Sequence, residues 1–203
     1  MQYKGLSIEW KGHSCFKISD GKTVLYFDPF KLSEKDKADL IIVTHDHYDH
    51  CSLEDVEKIQ TPETIIICDG ASAQKLQGNV KVLKLGEEVE VKGIQVKAVP
   101  AYNVNKKFHP KGFGMGVVVE FAGIKLYHAG DTDRIPEMKS FGKIDIAFLP
   151  VGGTYTMNAE EAAQAAEDIR PEIAVPMHYG KIIGSRKDAE LFQKLYGGKT
   201  EIL

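Results

Sequence analysis

The chain has 203 residues, 43% hydrophobic and 27% charged, which is ordinary globular usage and excludes a disordered chain. Its formal net charge of −3 argues against a general nucleic-acid binder, which needs a basic footprint to displace counterions. No run approaches the ~18 apolar residues of a membrane span, and the first residues lack the basic-then-apolar order of a secretory signal. This length predicts one compact domain. Three cysteines, Cys15, Cys51 and Cys68, are too few and too odd in number for a disulfide scaffold, so a cytoplasmic protein is expected.

Short runs rich in Val, Ile, Phe and Tyr, bounded by Gly, Asp or Pro, predict strands. They fall at 6–10, 15–19, 23–27, 40–43, 64–68, 81–85, 94–99, 116–121, 125–128, 145–149 and 173–176. Asp20-Gly21 and Ala122-Gly123 read as hairpin turns. Helices are predicted at 52–59, 71–77, 159–169 and 187–195. The first of these opens with Ser52 and has Asp55 three residues on, as in a capping box. Strands dominate the first third and mix with helices later, which predicts a sheet-rich α/β layered protein. The longest irregular stretch, 100–115, predicts a functional or mobile loop.

The segment Thr44-His45-Asp46-His47-Tyr48-Asp49-His50 follows the apolar run at 40–43. Three imidazoles and a carboxylate in the pattern H-x-H-x-D-H form a ligand set for zinc, iron or manganese. Because the motif follows a strand, it leaves that strand's C-terminal end. Period two puts His45 and His47 on one side, and Asp49 and His50 come after the turn. Two subsites are expected, and so short a segment cannot close either. Asp131, in Gly130-Asp131-Thr132 at a strand end, has two oxygens with which to bridge two ions. His178, in Pro176-Met177-His178-Tyr179, again follows a strand and is a further ligand candidate.

Together these motifs resemble the metallo-β-lactamase superfamily. Gly12-His13-Ser14, Asp28-Pro29-Phe30, Ala129-Gly130-Asp131-Thr132, Leu149-Pro150-Val151-Gly152-Gly153 and Pro176-Met177-His178-Tyr179 are similar to one small branch of it. That branch holds metal-dependent hydrolases related to ascorbate-6-phosphate lactonase and N-acyl phosphatidylethanolamine phospholipase D. The resemblance implies an α/β fold: a four-layer αβ/βα sandwich of two mixed sheets with outer helices. It implies a single metallo-hydrolase domain over 1–203. It implies two divalent metal ions, zinc foremost, with manganese or iron as alternatives. His45 and His47 would hold the first ion and Asp49, His50 and His178 the second. Asp131 would bridge, and Asp28 would orient ligand imidazoles. The implied reaction uses a hydroxide bridging the two ions to cleave a small ester, lactone or phosphodiester, with Asp49 or His109 handling the proton.

One departure matters. The superfamily usually supplies a third histidine to the first ion from the loop after a mid-chain strand. Here that loop reads Val99-Pro100-Ala101-Tyr102-Asn103, with Asn103 at the expected position. Either Asn103 binds through its oxygen, or His109 enters in its place, or the first ion is weakly held. Asn is a poorer zinc ligand than imidazole, and the reading favours His109 near the site, as ligand or as acid/base. A broken first site would leave a non-catalytic metal-binding module that keeps the fold.

Other residues carry two readings each. His13 either reaches the site or forms a structural hydrogen bond. His128, three residues before Asp131 on a strand, points to the other face and packs. Tyr155 and Tyr179 either donate to a developing oxyanion or are buried aromatics. Lys106, Lys107, Lys111, Lys181, Arg186 and Lys187 lie in two loops expected at the pocket mouth. They would receive an anionic small-molecule substrate, or they are ordinary solvent-facing charge.

Overall fold

The computed structural model describes residues 1–33 and 36–203. The first sheet has seven strands in sequence order: β1 (Gln2–Tyr3), β2 (Leu6–Gly12), β3 (Cys15–Ser19), β4 (Val24–Phe27), β5 (Leu40–Val43), β6 (Ile65–Cys68) and β7 (Asn79–Val82). The second has six: β8 (Glu88–Val91), β9 (Ile94–Val99), β10 (Gly116–Phe121), β11 (Ile124–His128), β12 (Ile146–Pro150) and β13 (Ile173–Met177). The helices are α1 (Leu53–Ile59), α2 (Gly70–Ala73), α3 (Ala159–Ile169) and α4 (Arg186–Leu195), with a 3-10 turn at Pro136–Ser140. Both sheets are mixed. Each begins as an antiparallel meander and ends in parallel strands.

Alternation along the strands builds the layers. Leu40 and Ile42 of β5 point into the core between the sheets, with Leu6, Ile8, Phe16 and Phe27. They meet Val96, Val117, Val119 and Phe148 of the second sheet. Ile41 and Val43, one residue out of phase, pack with Val56 and Ile59 of α1 on the outer face. β5 is therefore apolar at every position, as a strand covered on both faces must be. On the far side, α3 turns Ala162, Ala163, Ala166 and Ile169 inward. Its N-terminus is closed by a reciprocal Asn158–Glu161 capping box. The order helix, sheet, sheet, helix is the four-layer α/β sandwich expected from the motifs.

Most predicted elements stand within a residue or two. The hairpin at Ala122-Gly123 has both residues at positive φ (52° and 74°), as the tight right-twisting turn requires. Two predictions need correction, and two strands, β1 and β8, were not foreseen. The strand expected at 81–85 lies at Asn79–Val82, because pairing with β6 sets its register. The helix expected at 71–77 is the shorter Gly70–Ala73. In β8, the Glu-Val-Glu-Val alternation exposes the glutamates, and Glu has low strand preference. No helix among the described residues is long and apolar enough to cross a membrane.

Candidate metal centre

β2, β4, β5, β9, β11 and β13 end at one edge of the sandwich, because the pairing runs each sheet's alternate or parallel strands the same way. The segments that follow carry His13, Asp28, His45–His50, Asn103 and His109, Asp131 and His178. Residues far apart in the chain thus meet at one place.

Three imidazoles form the first group. His47 Nδ1 lies 3.1 Å from His45 Nε2 and 3.2 Å from His109 Nε2. His13, Asp49, His50 and His178 form the second, with His13 Nε2 2.9 Å and His50 Nε2 3.8 Å from Asp49 Oδ2. Asp131 joins the two groups. Its Oδ1 is 3.2 Å from His50 Nε2, and its Oδ2 is 3.1 Å from His178 Nε2 and 3.3 Å from His109 Nε2.

These approaches fit metal ligation. His50 Nε2, His178 Nε2 and Asp131 Oδ1 are buried and have no hydrogen-bond partner, although they crowd together. Such orphans cost free energy unless something satisfies them. Imidazole and carboxylate donors converging this closely suit a divalent cation.

The supporting contacts aim the rings. Asp28 accepts from Thr44 N and Thr44 Oγ1, both at 2.8 Å, and lies 2.7 Å from His50 Nδ1. That contact at Nδ1 fixes the ring with Nε2 turned to the cluster. Asn103 Oδ1 does the same for His109, accepting from its main-chain N–H at 2.9 Å and lying 3.2 Å from its Nδ1. The Asn103 oxygen is therefore turned to the back of His109, and His109 supplies the third imidazole of the first group.

Charge is balanced within the cluster. Burial opposes the charge of His50, but Asp131 and Asp28 outweigh it and hold its pKa well above the ordinary value. Burial, reinforced by His50, depresses His45 well below the ordinary value. Asp131 stays far down, against burial, because His178 and His50 face it. Asp49 is brought to about 2, against burial, mainly by its bond to His13. His13 is lowered to about 4 by burial. The carboxylates are thus ionised and His45 and His13 neutral at pH 7, the forms that bind metals.

The backbone is strained here. His13, Asp28 and His178 all adopt positive φ (55°, 39° and 58°). Non-glycine residues held this way cost about 1–3 kcal/mol each and cluster at functional sites. Gly114 makes room for the cluster, since a Cβ there would stand 2.6 Å from His45 Cβ.

All six residues foreseen as ligands, His45, His47, Asp49, His50, Asp131 and His178, lie in this cluster, and His109 is with them. His13 joins them too, although its sequence signal, Gly12-His13-Ser14, left its role open. His128 stands apart. Its ring stacks on Phe27 at 4.8 Å, with Nε2 donating to Ser14 O at 2.9 Å. Tyr179 is buried and stacked on Trp10 at 4.6 Å, and Tyr155 meets Phe108 edge-on at 4.7 Å. Several basic residues of the mouth are engaged elsewhere. Lys106 reaches Asp133 at 2.6 Å, Lys111 reaches Glu137 at 3.2 Å, and Arg186 reaches Glu190 at 3.1 Å. Lys181 donates to Lys11 O at 3.2 Å.

Residues 7–178 match the beta-lactamase superfamily domain. The chain belongs to that superfamily. A UPF0173 metal-dependent hydrolase of Thermoplasma acidophilum is 37% identical over 96% of this chain and 92% of its own length. The crystal structure of a Parabacteroides distasonis protein, provisionally assigned as a metal-dependent hydrolase, superposes with a TM-score of 0.88. The two are 35% identical, over 97% of this chain and 92% of that one. Igni18, a metallo hydrolase of Ignicoccus hospitalis, gives a TM-score of 0.80 at 25% identity, over 98% of this chain and 94% of that one. This superfamily member is thus a metal-dependent hydrolase whose His/Asp cluster can hold metal ions.

Proposed function

We propose that the domain, residues 1–203, hydrolyses a small ester or lactone, with a phosphodiester as the second candidate, at a binuclear site. The observation that carries this reading is Asp131, whose two oxygens face His50 on one side and His109 and His178 on the other. His45, His47 and His109 would hold one ion, and Asp49, His50 and His178 the other, with Asp131 shared. Two divalent ions, zinc foremost and manganese or iron as alternatives, would polarise the scissile bond and lower the pKa of water.

The chain's own residues do the rest. Asp28 and Asn103 keep the Nε2 atoms of His50 and His109 pointed inward. Half-buried Asp49 binds His13 through Oδ2, which leaves Oδ1 to pass a proton towards the departing alcohol. Water adds to the ester carbon, the C–O bond breaks, and a carboxylate, an alcohol and a proton leave. Both ring nitrogens of His109 face polar partners, so we read it as a ligand rather than the proton carrier. The third imidazole also favours catalysis over a non-catalytic metal-binding module. The three buried cysteines, joined by no disulfide among the described residues, fit a cytoplasmic enzyme.

Metal content per chain, measured beside turnover of a lactone and a bis-aryl phosphodiester, tests the proposal. Near two ions with turnover is expected. One ion or fewer, with no turnover after zinc, manganese or iron is added, would overturn it.

A further inference from the structure

A pocket of about 410 Å³ lies outside the cluster but shares a wall with it. That wall is Phe113. Its ring meets the first imidazole group, with centroids 5.8 Å from His45, 5.1 Å from His47 and 6.1 Å from His109. Phe113 also lines the pocket, with Ala71, Val82, Leu83, Leu85 and Met115. The wall is anchored, because Met115 N donates to Thr44 O at 2.9 Å, directly before His45.

The lining is mostly apolar. Val82 and Leu85 are 48% and 42% exposed, among the few large apolar side chains the fold leaves to water. Of the pocket's charged members, Asp69 caps α2 by accepting from Ala71 N and Ser72 N. Lys84 is the other. The volume falls within the roughly 300–1,000 Å³ typical of small-molecule sites. Near the cluster, Lys106 and Lys111 are committed to carboxylates.

We propose that this pocket is a specificity subsite for an uncharged aliphatic arm of the substrate, carried next to its scissile ester or lactone bond. The proposal rests on the hydrolase reading above and names the substrate class of that site. Burying each methylene of the arm is worth about fourfold in binding.

The test uses the metal-loaded enzyme with p-nitrophenyl esters from acetate to octanoate. A non-hydrolysable N-methyl octanamide is titrated by calorimetry in parallel. The expected result is kcat/KM rising about fourfold per methylene until the pocket fills. Leu85→Asp and the milder Val82→Thr should both flatten that slope and weaken amide binding, and Leu195→Asp on exposed α4 should alter neither. A flat ester series in the native enzyme, or a slope and amide affinity untouched by Leu85→Asp, would overturn the proposal. If no ester is cleaved, the ester and lactone reading fails and the amide titration still decides the pocket: binding lost in Leu85→Asp supports it, and no binding sinks it.

Discussion

Asn103 holds His109 by two bonds to one oxygen. Oδ1 accepts the main-chain N–H at 2.9 Å and sits 3.2 Å from Nδ1. The amide cannot flip without loss, because Nδ2 donates to Asp133 Oδ1 at 3.1 Å and to Tyr155 O at 3.0 Å. Asn103, a poor ligand by its chemistry, thus orients the His109 ring. Asn103→Ala should weaken binding of one ion about 10–100-fold while the other is retained. Competition with a metal-sensitive dye measures this, and two unchanged affinities would show that the loop orients His109 unaided.

Asp131 faces both groups, so its loss should affect both ions together. Asp131→Ala is expected to abolish turnover and lower metal content in parallel. Elemental analysis beside an activity assay reads both. Full turnover in the variant would remove the bridging role.

In the metal-free protein, the His13 contribution to stability should fall with pH, while that of His50, whose pKa is raised, runs the opposite way. His13 has a folded pKa of about 4, below its ordinary 6.5, chiefly because burial disfavours the charged ring. The unfolded chain therefore takes up the proton first. The contribution is present in full above about pH 6.5 and is lost progressively as pH falls through 4, to a limit of about 3 kcal/mol. Asp49, held near 2, loses its contribution only at lower pH. Urea unfolding in chelator at pH 7.5, 5.5 and 4.5 isolates this contribution by comparison with His13→Gln: acidification should shift stability more unfavourably in the native protein than in the variant. An identical slope in the variant would rule out the His13 contribution.

Gly114 combines a φ of +71° with a tight approach to His45, whereas Gly5, at +94°, has nothing within 4 Å of where a Cβ would stand. Gly5→Ala should cost only the backbone strain, of order 1 kcal/mol. Gly114→Ala should cost about 1–3 kcal/mol more and lower metal content, because His45 must move. Thermal unfolding of both variants, with metal analysis, separates the two effects. Equal melting temperatures would show that the loop yields at no cost.

Removing the ions with chelator should lower the melting temperature of the native protein. His50, His178 and Asp131 would then keep buried polar atoms without partners. Readdition of zinc should restore it. An unchanged melting curve would mean that the cluster is stable empty.

What the sequence determined by itself was whatever local chemistry and periodicity encode. The run at 40–43 is apolar at every position, so a strand before His45 was legible. So was α3, an Ala- and Glu-rich run that stops before Pro171. The ligand types were legible as well, since H-x-H-x-D-H needs no partner to be recognised. Tertiary structure decided the rest. The register of β7 depends on β6, and β8 becomes a strand only because β9 pairs with it. Spacing could not show that Asn103 turns to the back of His109, because that arrangement rests on Asp133 and the Tyr155 carbonyl, some 30 and 52 positions away in the chain. His13 looked equally structural until the chain brought it 2.9 Å from Asp49. Ligand identity is a property of side chains, but ligand geometry belongs to strand ends that meet only when both sheets have packed.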